Sequence, residues 1–292
     1  MSARLLEGEP IAERIKDEVK QAVAAMATPP KLAAILATDN PGAKFYAGSQ
    51  QKSCAEVGID YELHDPSVTG PLETLEDMKA YVRKLNADES VSGIILLMPV
   101  PKGVDPREVQ MEIAPEKDVE GIHPANIGRL FFGDFGLAPC TAHAVVTILR
   151  EAGVDLKGKE TVVVGHSEIV GKPTLVMLLQ SLMESPTVTS CHIATRDLAE
   201  HTRRAEVLVV AAGKAGLVRG DMVREGAVVV DVGINRVKVE VKGKKKTRIV
   251  GDVEFEAAKE VAGAITPVPG GVGLVTTALL LQNTVVCAQR QA

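Results

Sequence analysis

The stretch Thr161–Pro173 constrains the fold of this chain more than any other. It begins with a run of three valines, which is typical of a strand buried on both faces in a parallel sheet. Gly165 then permits a tight turn, and the apolar segment Leu175–Leu182 continues a helix whose first turn contains Pro173. A strand, a glycine turn and a helix in this order are typical of nucleotide binding, because free backbone N–H groups at the helix N-terminus receive phosphate.

The spacing of this turn is Gly-x-Ser-x-x-x-Gly, which differs from the Gly-x-Gly-x-x-Gly fingerprint of dinucleotide sites. Taken alone, it fits an ordinary strand-to-helix turn without a ligand equally well. Three more β-branched strands follow at Val188–Ile193, Val207–Val210 and Val228–Val230, separated by helix-length segments. This alternation predicts a parallel, doubly wound sheet. Glycines just past the strand ends then favour a dinucleotide site.

Length and composition narrow the class of protein. A chain of 292 residues suits two domains that each bury a core, and 46% hydrophobic residues indicate a globular chain. The net charge of -5 argues against nucleic acid or an anionic membrane as partner. The histidines lack metal-ligand spacing, and the cysteines form no CxxC pair. With no signal peptide and no stretch of membrane-spanning length, we expect a cytoplasmic protein with reduced thiols and no metal.

The rest of the chain also alternates between helices and strands. The predicted helices are Pro10–Met26, Ala43–Val57, Leu75–Leu85, Asp105–Ile113, Thr141–Ala152 and Leu274–Ala288, and the additional strands are Leu32–Ala37, Ile59–Leu63 and Gly93–Met98. Pro115–Gly136 is predicted to be irregular and to contain the domain boundary. The alternating residues around Lys242–Lys246 predict a solvent-facing hairpin that turns at this lysine run.

Six phrases, in chain order, match one known family. They are Pro115-Glu116-Lys117-Asp118-Val119-Glu120-Gly121, Pro139-Cys140-Thr141, Gly165 to Pro173, Asp231-Val232-Gly233-Ile234-Asn235, Gly251-Asp252-Val253 and Thr266-Pro267-Val268-Pro269-Gly270-Gly271-Val272-Gly273. Over nearly its whole length the chain resembles the bifunctional methylenetetrahydrofolate dehydrogenase/methenyltetrahydrofolate cyclohydrolase family.

The resemblance implies an α/β protein with two α/β domains around a cleft, the C-terminal one a Rossmann-like, doubly wound parallel sheet. It implies a folate-binding catalytic domain at residues 1–138 plus 274–292 and a nicotinamide-dinucleotide-binding domain at 139–273. The substrate would be a tetrahydrofolate derivative, the cofactor NADP or NAD, and the assembly a homodimer.

The resemblance also implies site residues. The expected catalytic residues are Tyr46 and Gln50, and the expected substrate-binding residues are Tyr46, Gln50, Leu97, Glu120, Pro269, Gly270, Gly271, Val272 and Gly273. The expected cofactor-binding residues are Thr141, Gly165, His166, Ser167, Ile169, Val170, Ile193, Arg196, Ala212, Gly213, Gly233 and Ile234.

Several of these positions depart from the family pattern. The family has a catalytic lysine four residues after the tyrosine, where this chain has Gln50. A glutamine that supports this lysine is replaced by Leu97, and the folate-binding aspartate is replaced by Glu120. The final motif, usually continued by Pro-Met-Thr, continues here with Leu274-Val275-Thr276.

The first three departures affect one of two chemical steps. Hydride transfer from the methylene carbon leaves a resonance-stabilised cation and removes no proton, so positioning is most of the task. Hydrolysis of the methenyl ring needs a general acid–base, and Gln50 cannot titrate. We therefore predict a dehydrogenase whose cyclohydrolase activity is weak or absent. The alternatives are a fully bifunctional enzyme and a catalytically silent folate- or nucleotide-binding protein.

The choice between the two cofactors stays open at this point. The family often has arginine at the position of His166, and serine at that of Ile193, to meet the 2′-phosphate of NADP. Their replacement predicts relaxed discrimination for NADP. However, Val188–Arg196 contains no acidic residue to hold the ribose hydroxyls of NAD, and Arg196 could serve a phosphate.

Overall fold

The computed structural model describes residues 2–181, 183–241 and 244–291. By contact these fall into an N-terminal unit (Glu13–Cys140 with Thr277–Ala292) and a C-terminal unit (Met1–Ala12 with Thr141–Thr276). The first residues join the C-terminal unit because their strand β1 (Arg4–Leu5) pairs with a late strand of its sheet. Sequence reasoning placed them in the other domain, since a two-residue strand leaves no readable pattern.

The N-terminal unit is built on a three-stranded parallel sheet of order β3-β2-β4. Its strands are β2 (Lys31–Ile35), β3 (Asp60–His64) and β4 (Gly93–Leu96), and its helices are α2 (Pro41–Val57), α3 (Pro66–Thr69), α4 (Leu75–Ala87), α5 (Pro106–Gln110) and α6 (Pro124–Phe131). Helix α1 (Glu9–Ala24) begins in the C-terminal unit and contributes most of its length here. One face of this sheet packs a core of Ala33, Ile35, Met78, Val82, Ile94, Leu96 and Val109.

Helix α2 ends at Val57 as its sequence predicts and begins at Pro41, two residues before the predicted start, and both of its ends are capped. The Asn40 side chain accepts a hydrogen bond from the backbone N–H of Ala43 at 3.0 Å, and Gly58 ends the helix with a φ of 84°. Its buried positions, at helical spacing, are Ala43, Ala47, Gln50, Cys54 and Val57. The polar side chain of Gln50 is therefore built into an otherwise small and apolar helix face.

The prediction that Pro115–Gly136 is irregular is wrong, because helix α6 forms within it. Pro124 takes the first position of the helix, where its missing N–H costs nothing, and the His123 side chain accepts from the N–H of Ala125 at 3.1 Å. Asn126 and Leu130 form the buried side of the helix. Eight residues with two buried positions are too short a pattern to stand out in the sequence.

The C-terminal unit contains a six-stranded parallel sheet of order β1-β11-β8-β7-β5-β6. The strands after β1 are β5 (Glu160–Val164), β6 (Thr187–Cys191), β7 (Val207–Val210), β8 (Val228–Asp231) and β11 (Ala264–Ile265), and the helices are α7 (Cys140–Glu151), α8 (Gly171–Leu178), α9 (Leu198–Arg204) and α10 (Phe255–Lys259). The valines of β5 are fully buried, as predicted for a sheet interior. The α/β fold with its Rossmann-like parallel sheet is confirmed.

Two further elements complete the chain. Strands β9 (Asn235–Val241) and β10 (Lys244–Val250) pair antiparallel as the predicted hairpin, whose turn at residues 242–243 lies outside the described residues. Helix α11 (Val272–Gln291) is the predicted apolar helix and extends beyond its predicted bounds, Leu274–Ala288, at both ends. Within the described part of the chain it alone is long and apolar enough to span a membrane, but 56% of it is buried in the protein, as in a core helix.

Candidate functional site

The first group of candidate residues lies on helix α2. Tyr46 and Gln50 are one helical turn apart, so they share one side of the helix. Tyr46 is 45% exposed, whereas Gln50 is 1% exposed. The Tyr61 hydroxyl donates to Oε1 of Gln50 at 3.3 Å, and Nε2 of Gln50 is buried without a hydrogen-bond partner in the described structure. Tyr61 was not identified from the sequence, because a lone tyrosine in a short strand resembles an ordinary packing residue.

The two tyrosines of this group keep their protons at neutral pH. Burial around its hydroxyl, with additional contributions from Glu120 and Cys140, raises the pKa of Tyr46 to about 12, against an opposing effect of the Gln50 side chain. Burial also raises the pKa of Tyr61 above its ordinary value, and Cys54 and Tyr46 act in the same direction. Both hydroxyls therefore act as neutral hydrogen-bonding groups and not as bases.

Glu120 is held by a hydrogen-bonded loop around a buried aspartate. The Asp118 carboxylate accepts from the N–H groups of Gly121 at 3.0 Å and His123 at 2.8 Å, and from the Asn126 amide at 2.9 Å. Glu120 is half-buried, and burial, followed by the nearby Asp118 charge, raises its pKa to about 8. This carboxyl is therefore a group in the N-terminal unit that can gain or lose a proton near neutral pH.

Leu97, the other departure in this unit, is an ordinary core residue. It is 2% exposed, and its N–H donates to the carbonyl of Ile35 at 2.9 Å just beyond strand β4. The next peptide, Met98–Pro99, is cis. An apolar side chain at this position has no polar atom to offer a neighbouring cation.

The candidate cofactor turn lies in the C-terminal unit between β5 and α8. Gly165 has a φ of 124°, and a Cβ atom there would overlap the carbonyl of Ala211, so only glycine fits. The Ser167 hydroxyl accepts from the N–H groups of Val170 at 3.2 Å and Gly171 at 3.4 Å. These two N–H groups are thus already paired and are not free for phosphate, in contrast to the expectation from the sequence.

A buried pair of carboxylates fixes the other glycine loops of this unit. Oδ2 of Asp252 accepts from the N–H groups of Ala212 at 2.7 Å and Gly213 at 2.8 Å. Asp231 accepts from the N–H groups of Gly233 and Asp252, both at 2.9 Å, and burial raises its pKa to about 6. The network thereby ties the loops after β7 and β8 together. Asp252 was quoted in a motif but not identified as a site residue, since its partners are distant in sequence.

The residues expected to read the cofactor phosphate are at the ends of β5 and β6. The rings of His166 and His192 meet edge to face, with centroids 4.9 Å apart. Arg196 is exposed and makes no ion pair with any described residue, and Ile193 is 64% exposed. Ile169, likewise exposed, follows in the β5–α8 turn. Two imidazoles and one guanidinium are therefore exposed in the segments that follow β5 and β6.

Five substrate candidates (Pro269–Gly273) and two cofactor candidates (Gly233 and Ile234) line one cavity of about 200 Å³ in the C-terminal unit. Its walls are residues Asp231, Val232, Gly233, Ile234, Ile249, Pro267, Val268, Pro269, Gly270, Gly271, Val272, Gly273 and Leu274. Ile249 and Leu274 are additions that sequence reasoning missed, the former because it comes from the hairpin strand β10. Thr141, another cofactor candidate, is the second residue of α7 and is half-buried.

Comparison with known proteins agrees with this arrangement. Residues 6–120 match the family model described as the tetrahydrofolate dehydrogenase/cyclohydrolase catalytic domain, and residues 139–292 match that of the NAD(P)-binding domain. The bifunctional protein FolD 3 of Roseobacter denitrificans is 47% identical over 288 residues, which cover 99% of this chain and 96% of the relative.

Two solved structures share the fold over nearly the full length. The bifunctional FolD methylenetetrahydrofolate dehydrogenase/cyclohydrolase from Campylobacter jejuni is 40% identical, with a TM-score of 0.89 and 100% of both chains covered. The Trypanosoma brucei methylenetetrahydrofolate dehydrogenase-cyclohydrolase, solved with NADP and an inhibitor, is 35% identical with a TM-score of 0.89, and 99% of this chain and 98% of the other are covered.

Proposed function

Because this chain belongs to the tetrahydrofolate dehydrogenase/cyclohydrolase family, we propose that it oxidises 5,10-methylenetetrahydrofolate by hydride transfer to NAD or NADP. The product is 5,10-methenyltetrahydrofolate, and its hydrolysis by this protein is weak or absent. The observation that carries the second statement is Gln50, a buried amide where the family has a lysine.

Hydride transfer requires that the folate and the nicotinamide cofactor be held in a fixed relative orientation. The C-terminal unit supplies the residues that bind the cofactor. The positive φ of Gly165 and its close approach to the Ala211 carbonyl bring the turn after β5 against the segment after β7, and only glycine allows this. Asp252 fixes the Ala212–Gly213 loop, which lies at the carboxyl end of the parallel sheet where dinucleotides bind. The nicotinamide, when bound, accepts the hydride, and this chain's residues provide binding and orientation.

Hydrolysis of the methenyl ring fails for lack of a proton carrier. Water must lose a proton as it attacks, and a ring nitrogen must gain one as the ring opens. The Gln50 amide has no titratable proton, and the raised pKa values of Tyr46 and Tyr61 keep both hydroxyls from acting as bases. General acid–base groups contribute about 10²–10⁴-fold, so hydrolysis should approach the uncatalysed rate.

A fully bifunctional enzyme is the second candidate, and one observation favours it. Glu120 has a pKa raised to about 8, close to the pH at which a general acid–base works best. The charge of this carboxyl also contributes to the raised pKa of Tyr46. In this alternative Glu120 takes over the proton transfer that the family assigns to lysine.

The two candidates are separated by assaying the steps independently. We expect methylenetetrahydrofolate-dependent reduction of NAD or NADP by the unmodified protein, with methenyltetrahydrofolate decaying at its background rate. Gln50→Lys should increase hydrolysis, and Gln50→Lys with Leu97→Gln should increase it further, since the added amide can bind the ammonium. Leu97→Gln alone should hydrolyse no faster than the unmodified protein.

Two results would count against the proposal. Folded protein that reduces neither cofactor would refute the dehydrogenase assignment. Rapid hydrolysis by the unmodified protein would favour the bifunctional alternative, and its loss in Glu120→Gln would then identify the proton carrier.

A further inference from the structure

The amide of Gln50 is satisfied on one side only. Its oxygen Oε1 accepts from the Tyr61 hydroxyl at 3.3 Å, while its nitrogen Nε2 is buried without a hydrogen-bond partner in the described structure. Buried polar groups are almost always hydrogen-bonded, so a side chain that is 1% exposed and has an unpaired donor indicates a missing partner.

Tyr61 determines which end of the amide is left unpaired. Burial raises the pKa of Tyr61, so its hydroxyl keeps its proton and can donate to the amide oxygen across the ordinary pH range. With the oxygen of Gln50 held in this way, the two N–H bonds of Nε2 are the groups left for a ligand. Tyr46, one turn earlier on the same helix, marks the exposed end of this group.

We propose that Tyr61 is a positioning residue: its hydroxyl holds the carbonyl oxygen of Gln50, and so presents the Gln50 amide N–H group to an acceptor atom of the folate. This inference rests on the proposed function, which places the folate at this cluster. A reduced folate carries a ring carbonyl oxygen and ring nitrogens that can accept such a bond.

In this arrangement the residue that replaces the lysine has a function of its own in binding folate. An ammonium group donates hydrogen bonds and can also carry a proton in catalysis, whereas an amide can only donate and accept. An amide, however, can rotate to offer either its oxygen or its nitrogen, which a lysine cannot do. Tyr61 removes this ambiguity, and the protein retains a directed donor at position 50.

The test is Tyr61→Phe, which removes only the hydroxyl. The matched control is Tyr81→Phe in the same unit. The Tyr81 hydroxyl is hydrogen-bonded to Nδ1 of His64 at 2.7 Å and makes no hydrogen bond to Gln50.

Tetrahydrofolate is the probe, and its Kd is measured together with the Kd for NADP and NAD and the Tm of each variant. We expect the folate Kd to rise about 5- to 30-fold in Tyr61→Phe, as for the loss of one directed hydrogen bond. The cofactor Kd should stay unchanged, and Tyr81→Phe should bind folate like the unmodified protein.

A double-mutant cycle separates positioning from simple packing. If Tyr61 acts through Gln50, then Tyr61→Phe should cost no further folate affinity in a Gln50→Met background, because the group it orients is gone. A folate Kd in Tyr61→Phe within two-fold of the unmodified protein would overturn the inference. So would an equal loss in the Gln50→Met background, which would show that Tyr61 acts independently of Gln50.

The failure of the proposed function would look different. Unmodified protein that neither binds tetrahydrofolate nor reduces a cofactor would overturn the proposed function and this inference together. Unmodified protein that does both, with Tyr61→Phe unaffected, would overturn this inference alone.

Discussion

Folate binding by this protein should depend steeply on pH because of Glu120. The resemblance to the family assigns this position to pairing with the hydrogen-bond donors of the pterin ring, a pairing that an ionised carboxylate makes best. In the free protein, burial and the Asp118 charge raise the pKa of Glu120 from 4.5 to about 8. At neutral pH most of the protein is therefore protonated at Glu120, and this proton must leave before the pairing can form.

The magnitude follows from the pKa. Below pH 8 each unit of acidification reduces the ionised fraction about ten-fold, equivalent to about 1.36 kcal/mol of binding free energy. The observed Kd for tetrahydrofolate should therefore be about 100-fold weaker at pH 6 than on a plateau above pH 9. Equilibrium titrations at half-unit steps of pH would measure the profile, and binding at pH 6 should release about one proton, detectable as a buffer-dependent heat.

Glu120→Gln is the control, because the glutamine has similar size but does not titrate. Its folate affinity should be weaker than that of the unmodified protein above pH 9 and should lack the pH dependence caused by Glu120. Titration of the ligand affects both proteins equally, so the ratio of the Kd of the unmodified protein to the Kd of Glu120→Gln reports Glu120 alone. A ratio that is constant between pH 6 and pH 9 would refute the reasoning.

The raised pKa of Glu120 also makes the stability of the protein depend on pH. The direction of this pH dependence is opposite to that produced by an ion-paired acid, whose pKa is lowered on folding. Glu120 titrates near 4.5 when unfolded and near 8 when folded, so the folded state retains its proton over a range where the unfolded state has lost it. Its contribution to the free energy of unfolding is therefore greatest below pH 4.5 and declines as the pH rises to 8. The difference in unfolding free energy between Glu120→Gln and the unmodified protein should follow that window.

Two predictions concern the C-terminal unit. His166→Arg should raise the ratio of kcat/KM for NADP over NAD by about ten-fold, because it adds a charged, bidentate donor beside His192; an unchanged ratio would show that position 166 does not contact the 2′-phosphate. Asp252→Ala should raise the cofactor KM by about 10- to 100-fold, because it removes the oxygen that accepts from the N–H groups of Ala212 and Gly213; tetrahydrofolate affinity serves as the control, and an equal loss of both affinities would indicate general unfolding.

Most elements could be predicted from the sequence because local signals and burial agree in them. The buried β-branched strand ending at Gly165 and the capped helix α2 both lie close to their predicted bounds. Strand β1 and helix α6 could not be predicted, since two and eight residues are too few for a periodic pattern. Strand β1 in particular is defined by pairing with a segment about 260 residues further along the chain.

The candidate site residues also fall into those that local sequence patterns identify and those that depend on distant parts of the chain. Gly165 and Ser167 were singled out because they belong to a local strand–turn–helix pattern, and the structure adds that Ser167 binds the turn it belongs to and that Gly165 lies against Ala211. Tyr61 and Asp252 could not be assigned a role from the sequence, because the atoms they bind come from other elements. A hydrogen bond across a sheet or between two loops leaves no spacing that a single sequence reveals.

The resemblance to the family links the replacements at positions 50 and 97, and we expect them to depend on each other because both residues are buried. The resemblance places a glutamine at position 97 to support a lysine at position 50, and in this chain both positions are almost completely buried. With Gln50 in place of the lysine, and its oxygen already hydrogen-bonded to Tyr61, a glutamine at position 97 would lack the cation that it pairs with in the family.

An unpaired buried amide costs about 1–3 kcal/mol, a large share of a typical domain stability of about 5–15 kcal/mol. Leu97 removes that cost by burying an apolar side chain instead. Conversely, a lysine restored at position 50 would be a buried cation, and Leu97 has no atom that could accept a hydrogen bond from it. We therefore expect full hydrolysis only when positions 50 and 97 are changed together.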